Sequence, residues 1–203
     1  TESQCSSGSR GSKPPRVAIL LPDLRGGGAE RVNINLANAF VARGLSVDMV
    51  LMRAIGDMLP QLDARVRVFD LGVDRVRHLF FPLVRFIRSE QPSCMLACMW
   101  PLTIIAVLAR AYTLGKFRLV LAEHTTWSVA RIAQRPRTRL MIKLTMRLMY
   151  GHADAIVAVS KGSASDLERM ARMKPRSVTT IYNPIIDPNK AAPGLPTSPE
   201  AWV

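Results

Sequence analysis

Short apolar runs alternate with amphipathic segments along most of the chain. The first run, residues 16–21, opens with a charged residue and is closed by Pro22, a pattern that is typical of a buried strand. Strands are predicted over residues 16–21, 46–52, 66–69, 95–99, 118–122, 155–159 and 178–181. Helices are predicted from residue 29 to Gly44, over 79–87, from Pro101 onward, over 137–150, and from Ser160 to about Met173.

Strands that alternate with helices favour one fold class. Parallel strands need crossover connections, and the crossing helices cover both faces of the sheet, so the strands themselves become continuous apolar runs. The sequence therefore predicts an α/β domain, a parallel sheet of about seven strands flanked by helices.

The two ends of the chain lack this alternation. Residues 1–15 are polar and rich in Ser, Gly and Pro, and predict a disordered tail without the apolar region of a signal peptide. Closely spaced prolines predict that residues 183–203 form a linker. The folded domain is expected over 16–182. The longest apolar stretch, 95–109, is too short to cross a bilayer, which takes about 20 residues.

Composition adds a charge and a cysteine pattern. The formal net charge of +13 indicates an anionic partner, which could be nucleic acid, an acidic lipid or a phosphorylated ligand. The three cysteines, Cys5, Cys94 and Cys98, are odd in number and have no neighbouring histidine or cysteine that would complete a zinc set. We expect free thiols and no metal ion.

Three glycines, Gly26, Gly27 and Gly28, lie between the first strand and the first helix. Glycine lets the backbone turn sharply and approach a ligand closely, and the helix that follows offers free N–H groups that suit phosphate. The glycines are therefore candidate ligand-binding residues. The alternative is a tight turn without a ligand.

A dinucleotide-binding fold is the first rival. Its G-x-G-x-x-G fingerprint needs a third glycine, and that position holds Arg31. In that fold the second strand ends in an acidic residue that binds the ribose, but here it ends at Arg53. The positive charge of Arg53 would suit a ribose that carries a phosphate. An NADP-dependent oxidoreductase therefore stays open as an alternative.

The order and spacing of several motifs resemble glycosyltransferase family 4. The opening run, residues 22–32, reads PDLRGGGAERV and is followed by Asn35-Leu36-Ala37 and Arg43-Gly44. Later landmarks agree, namely Glu123-His124-Thr125, Ala158-Val159-Ser160-Lys161-Gly162 and Ile181-Tyr182-Asn183-Pro184. The resemblance covers residues 16–187.

This resemblance implies one half of a GT-B fold, in which two Rossmann-like domains face a cleft. The N-terminal domain of such enzymes binds the acceptor, and the C-terminal domain binds the nucleotide-sugar. The chain resembles the first domain, so we expect the C-terminal donor domain to be absent and this chain to be inactive alone. The resemblance also implies a retaining reaction without a protein nucleophile, metal or cofactor.

The resemblance implies that Gly27 and Gly28 approach the donor diphosphate and the acceptor, and that His124 reaches the transferred sugar. His124 is also a candidate by itself, because it follows a buried strand beside the carboxylate of Glu123, an arrangement that suits acid–base or hydrogen-bonding work. Glu123 is itself a candidate for binding the donor or the acceptor. Lys161 follows the predicted cap Ser160 and is a further candidate for a phosphate contact. The alternatives are a loop histidine and a surface lysine without a role.

A basic helix is predicted over 137–150. Arg139, Lys143 and Arg147 recur every four residues beside an apolar row of Leu140, Leu144 and Leu148. This pattern is typical of binding to an anionic membrane surface. The alternative is a solvated helix whose leucines pack into the core. No nucleic-acid motif accompanies the basic residues, and we expect no nucleic-acid partner.

The sequence thus predicts the acceptor half of a retaining hexosyltransferase that uses a nucleotide-sugar and acts on a cell-envelope glycan or glycolipid. It is expected in the cytoplasm, peripherally at the inner face of the membrane. A non-catalytic carbohydrate- or lipid-binding module of the same fold is the second alternative.

Overall fold

The computed structural model describes residues 15–130 and 135–183. Seven strands lie within these ranges, at Arg16–Leu21 (β1), Ser46–Leu51 (β2), Arg67–Asp70 (β3), Cys94–Cys98 (β4), Arg118–Glu123 (β5), Ala155–Ala158 (β6) and Thr179–Thr180 (β7). The α-helices are Gly28–Ala42 (α1), Phe80–Glu90 (α2), Leu102–Thr113 (α3), Pro136–Met149 (α4) and Lys161–Ala171 (α5).

All seven strands form one parallel sheet in the order β3-β2-β1-β4-β5-β6-β7. Strand β1 pairs over its whole length with β2 and over residues 17–20 with β4. The predicted fold, a parallel sheet of about seven strands flanked by helices, is confirmed.

Two apolar cores lie on opposite faces of the sheet. Alternate residues of a strand point to opposite faces: Ala18 and Leu20 pack with α2, α3, α4 and α5, whereas Ile19 and Leu21 pack with α1. The larger core thus lies under four helices and the smaller one under α1.

The helix ends agree with the signals in the sequence. Ser160 caps α5, and its Oγ accepts a hydrogen bond from the backbone N–H of Ser163 at 3.0 Å. Gly44 follows the end of α1 with a φ of 81°, a conformation that favours glycine. Helix α2 extends beyond its predicted end at residue 87 and stops at Glu90, before Gln91 with a left-handed φ of 48°. The predicted tail lies outside the described residues except for Pro15, as does the predicted linker except for Asn183.

An ionic network lies at the amino end of β1. Asp48 is fully buried, and Arg67 donates two hydrogen bonds to it at 2.8 and 2.9 Å. Arg16 and Arg67 both also bind Glu90 of α2, at 2.7 and 2.8 Å. A buried carboxylate is tolerated when it is paired and hydrogen-bonded in this way. The network joins β1, β2, β3 and α2 at the amino ends of β1 and β3, away from the glycine turn.

Candidate active site at the carboxyl edge of the sheet

The strand order reverses between β1 and β4, since β2 and β3 lie to one side of β1 and β4 to β7 lie to the other. In open α/β sheets, ligands bind in the crevice outside the carboxyl ends of the strands at such a switch point. The glycine turn follows β1 at this place. Met99 follows β4 there with a φ of 64°, an unusual conformation for a residue with a side chain.

The glycine turn is held against the loop that follows β2. Leu24 is fully buried, its N–H donates to the carbonyl of Ile55 at 3.0 Å, and its carbonyl accepts from the N–H of Met58 at 3.2 Å. Gly56 lies directly against this turn with a φ of 128°, and a Cβ there would overlap the backbone carbonyl of Leu24. The shape of the turn therefore depends on a glycine 30 residues away from it in the sequence.

The three glycines of the turn have different surroundings. Gly26 has a φ of 122°, so it needs glycine for its conformation. Gly27 caps α1, and a Cβ on it would overlap the carboxylate of Glu30. A Cβ on Gly28 would meet no atom within 4 Å. The first turn of any helix leaves backbone N–H groups without intrahelical acceptors, so the open space at Gly28 adjoins a place suited to an anion.

Glu123 is the last residue of β5 and is 1% exposed. Its Oε1 accepts a hydrogen bond from the Tyr150 hydroxyl, and the Thr103 hydroxyl lies 3.5 Å from the same oxygen. Burial raises the pKa of Glu123 from 4.5 to about 7, against the opposing effect of the Tyr150 hydrogen bond. Glu123 thus lies behind the cleft surface, and its predicted role in ligand binding stays a prediction.

His124, the next residue, lies at the edge of the crevice and is half-buried. Among the described residues, none accepts from or donates to its buried Nδ1. Burial lowers the pKa of His124 below its ordinary value of 6.5, which keeps the imidazole neutral at pH 7. A neutral imidazole both donates and accepts a hydrogen bond, which suits it to a sugar hydroxyl.

The loop after His124 is tied to helix α5. The hydroxyls of Thr126 and Ser163 lie 2.9 Å apart, and the N–H of Ser128 donates to the buried carboxylate of Asp166 at 2.8 Å. Two tryptophans flank this loop, with the rings of Trp100 and Trp127 edge to face at 6.0 Å. The backbone on both sides of His124 is therefore fixed.

Strand spacing places the candidates relative to one another. Strand β5 lies two positions from β1 and β6 lies three, which is about 10 and 14 Å at the usual spacing. The structure therefore brings the glycine turn and His124 to the same edge of the sheet. Lys161 is exposed at the first residue of α5, one strand farther from the glycines.

Cys98 and Asn33 form a further polar contact at the switch point. The thiol of Cys98 donates to Asn33 Oδ1 at 3.3 Å, both residues are buried, and burial raises the pKa of the thiol. Cys94 is half-buried and also free. In the described ranges, no group of three or more His, Cys, Asp or Glu side chains is placed to hold a metal ion.

Sequence reasoning missed Gly56, Thr103 and Tyr150, all of which support the site. Thr103 and Tyr150 are 47 residues apart and lie on two helices, yet their hydroxyls are 2.9 Å apart. Their sequence neighbourhoods carry only helix signals. Gly56 follows a strand in an ordinary polar loop, and the sequence gives no sign that it faces the glycine turn.

We expect the unusual state of Glu123 to be measurable as a pH dependence of stability. The folded chain holds this proton up to about pH 7, whereas the unfolded chain releases it near pH 4.5, so unfolding becomes easier as the pH rises between these values. The free energy of unfolding should fall between pH 5.5 and 8 by about 2 kcal/mol more in the wild type than in Glu123→Gln. Urea unfolding at the two pH values measures this difference.

The comparison with Glu123→Gln isolates this carboxyl from other titrating groups. The lowered pKa of His124 acts in the opposite direction, since it costs stability as the pH falls below 6.5, but it acts in both proteins. An equal pH dependence in the wild type and the variant would show that Glu123 is ionised in the folded chain at all these pH values.

The comparisons with known proteins agree with the fold. The sequence profile described as Glycosyltransferase Family 4 matches residues 26–187. The chain therefore belongs to glycosyltransferase family 4. No curated protein gives a significant sequence match.

Solved structures of glycosyltransferases share the fold. The apo form of WaaB, a lipopolysaccharide outer core galactosyltransferase, superposes with a TM-score of 0.63 at 13% identity, over 84% of this chain and 46% of that one. Anabaena HepE in complex with UDP-glucose superposes with a TM-score of 0.60 at 16% identity, over 83% of this chain and 43% of that one. For sucrose-phosphate synthase from Thermosynechococcus elongatus the TM-score is 0.64 at 16% identity, over 83% of this chain and 48% of that one. The chain spans less than half the length of each of these proteins and has the Rossmann-like fold of one GT-B half.

Proposed function

We propose that this chain is the acceptor-side half of a retaining glycosyltransferase, which transfers a hexose from a nucleotide-sugar to a cell-envelope glycan or glycolipid. One observation carries the proposal. In a family 4 fold, the glycine turn and the half-buried imidazole of His124 lie at the same carboxyl edge of the sheet, after β1 and β5. One of them suits a diphosphate, and the other suits a sugar hydroxyl.

The proposed donor is a nucleoside diphosphate hexose. The open space at Gly28 lets a phosphate approach the first turn of α1, where free N–H groups and the positive end of the helix dipole stabilise negative charge. HepE, a structural neighbour, is in complex with UDP-glucose, which supports this ligand class.

The proposed chemistry relies on positioning rather than on a protein nucleophile. Glu123 is buried and bound to Tyr150, so we give it no part in attack on the sugar. A phosphate oxygen of the donor would deprotonate the acceptor hydroxyl, and His124 would hold a hydroxyl of the transferred sugar. Fixed hydrogen-bonding groups of this kind lower the barrier because they need not reorganise during the reaction.

We further propose that the donor site is completed by a second Rossmann-like domain. The sheet described here would then form one wall of a cleft, and this is supported by the chain matching only 43–48% of the length of the GT-B neighbours. The nucleotide-sugar enters this proposal as a substrate rather than as a cofactor.

Substitution at Gly28 tests the proposed diphosphate site. A methyl group at Gly28 meets no atom of the chain, so Gly28→Ala should leave the free energy of unfolding within about 0.5 kcal/mol of the wild type. In the full-length protein it should raise the KM for the nucleotide-sugar by about tenfold or more, because the methyl group occupies the space through which the phosphate approaches. Unchanged nucleotide-sugar kinetics would place the diphosphate elsewhere.

The surface of α4 supports association with an anionic membrane. Leu140, Leu144 and Leu148 are 67%, 54% and 55% exposed, so they do not pack into the core as the alternative required. Buried Ile142 and Met146 form the core side of this helix instead. An exposed apolar row beside basic residues is typical of a helix that lies in a membrane interface. No helix in the described ranges has both the length and the apolarity to span a bilayer.

Vesicle binding tests the membrane proposal. Each basic residue near an anionic surface contributes about 1 kcal/mol, so changing Arg139, Lys143 and Arg147 together to Gln should weaken binding to phosphatidylserine vesicles by about 100-fold. Cosedimentation with vesicles of anionic or neutral lipid measures this. The matched control changes Arg43, Arg172 and Lys174, three exposed basic residues outside α4, to Gln. An equal loss of vesicle binding in the two triple variants would mean that the net charge of the chain, and not helix α4, determines the binding.

A further inference from the structure

A buried hydrogen-bonded group beneath His124 has no part in the proposed chemistry. It consists of Glu123, Tyr150 and Thr103, of which the most exposed is only 1% accessible. The Tyr150 hydroxyl donates to Glu123 Oε1, and the Thr103 hydroxyl lies 2.9 Å from Tyr150 and 3.5 Å from Glu123. This group joins β5, the first turn of α3 and the short 3-10 helix, Tyr150–His152, that follows α4 directly.

Stability alone gives a poor reason for this arrangement. Buried polar groups lose hydration, and apolar side chains of similar size would often be as stable or more stable. The second oxygen of Glu123 also has no partner of good geometry among the described residues, although the Trp127 indole is near enough to lower the pKa of the carboxyl. Such a costly group directly beside a candidate active residue indicates a role in the site.

The backbone alternation explains how Glu123 acts on its neighbour. Leu119 and Leu121 point into the larger core, and Glu123 shares their face of β5. The hydrogen bond from Tyr150 to Glu123 therefore fixes the end of β5, immediately before His124, from the side of the larger core. The contacts of Thr126 and Ser128 with α5 fix the chain immediately after it.

A second contact from α4 holds the neighbouring strand end. Thr145 accepts a hydrogen bond from the indole N–H of Trp100 at 3.1 Å, in the loop that follows β4. Trp100 in turn packs edge to face against Trp127, which lies in the loop that carries His124. The inner side of α4 thus holds the loops after β4 and β5 in one arrangement.

We propose that Tyr150 and Glu123 are positioning residues, which set the orientation of the His124 imidazole by fixing the end of β5 from α4. The effect of these residues on sugar transfer rests on the proposed function, whereas their effect on the orientation of the His124 ring does not. Removal of the Tyr150 hydroxyl frees the Glu123 side chain and lets the end of β5 relax. The imidazole then loses its preset orientation, which lowers turnover more than it weakens donor binding.

Nuclear magnetic resonance of the histidine rings in this chain tests the structural content. In Tyr150→Phe, we expect the ring nitrogen shifts and the titration midpoint of His124 to move, with the resonance assigned from His124→Gln. The exposed ring of His78 should not move and serves as the internal control. A His124 resonance unchanged in Tyr150→Phe would overturn the proposal, whatever the enzyme's substrate.

Kinetics of the full-length protein with nucleoside diphosphate hexoses test the consequence. Tyr150→Phe should lower kcat by about tenfold and leave the KM for the donor unchanged. Ile142→Val, a conservative change of a buried residue on the preceding helix α4, should alter neither. A lower kcat in both variants, or an unchanged kcat in both, would contradict a positioning role for Tyr150. If the wild type transfers no sugar, the proposed function fails, and the ring measurements still decide the proposal on Tyr150 and Glu123.

Discussion

His124→Ala is expected to lower kcat for sugar transfer by about 100-fold in the full-length protein, with the fold intact. The half-buried imidazole is neutral, so it can both donate and accept a hydrogen bond, and we expect its accessible edge to bind a hydroxyl of the transferred sugar. A hydrogen bond that is aligned in advance with the transition state accounts for a loss of this size. Initial rates at saturating donor measure it.

Two further variants define what the imidazole does. Gln at position 124 retains a donor and an acceptor and should recover part of the lost rate if His124 acts through hydrogen bonding. His78→Ala removes an exposed histidine outside the site and should have no effect. Full activity in His124→Ala would remove this residue from the site.

Gly56→Ala is expected to have the largest effect on stability. The residue has a φ of 128°, and the added methyl group would overlap the rigid backbone of Leu24 rather than a movable side chain. We expect a loss of at least about 3 kcal/mol in the free energy of unfolding, together with weaker donor binding, because the glycine turn must shift. Urea unfolding of the chain measures the loss of stability.

Gly26→Ala is the matched control for this prediction. Gly26 has nearly the same φ, 122°, but a Cβ there meets no atom within 4 Å. Its substitution carries the conformational cost alone, about 1–2 kcal/mol. Equal losses at the two positions would mean that the contact between Gly56 and Leu24 does not hold the turn.

The sequence predicted the fold well because local and overall patterns agree in this chain. The buried strands are mainly apolar runs, although β2 contains the buried Asp48, and signals such as Ser160 and Gly44 mark the helix ends where the structure has them. The end of α2 was placed too early, since its last residues, Arg88 to Glu90, are polar and carry no apolar periodicity. Strand β7 is shorter than predicted, because only Thr179 and Thr180 pair with β6.

The site was predictable only where it is local in sequence. The glycines and His124 directly follow strands, so their place at the carboxyl edge follows from a parallel sheet. The supports of the site, Gly56 and the pair of Thr103 and Tyr150, depend on contacts between distant segments. The burial of Glu123 also escaped prediction, because a carboxylate at a strand end is ordinarily exposed and its partners lie on two helices.

The most direct test of the central claim is hexose transfer from a panel of UDP-, GDP-, ADP- and dTDP-linked sugars. It compares this chain alone with the full-length protein that includes the proposed donor domain, and measures both transfer and nucleotide release. We predict turnover from at least one nucleotide-sugar by the full-length protein and none by the chain alone. Robust turnover by the chain alone would contradict the proposed division of the site. Tight NADPH binding by the full-length protein without turnover of any nucleotide-sugar would contradict the proposed function itself.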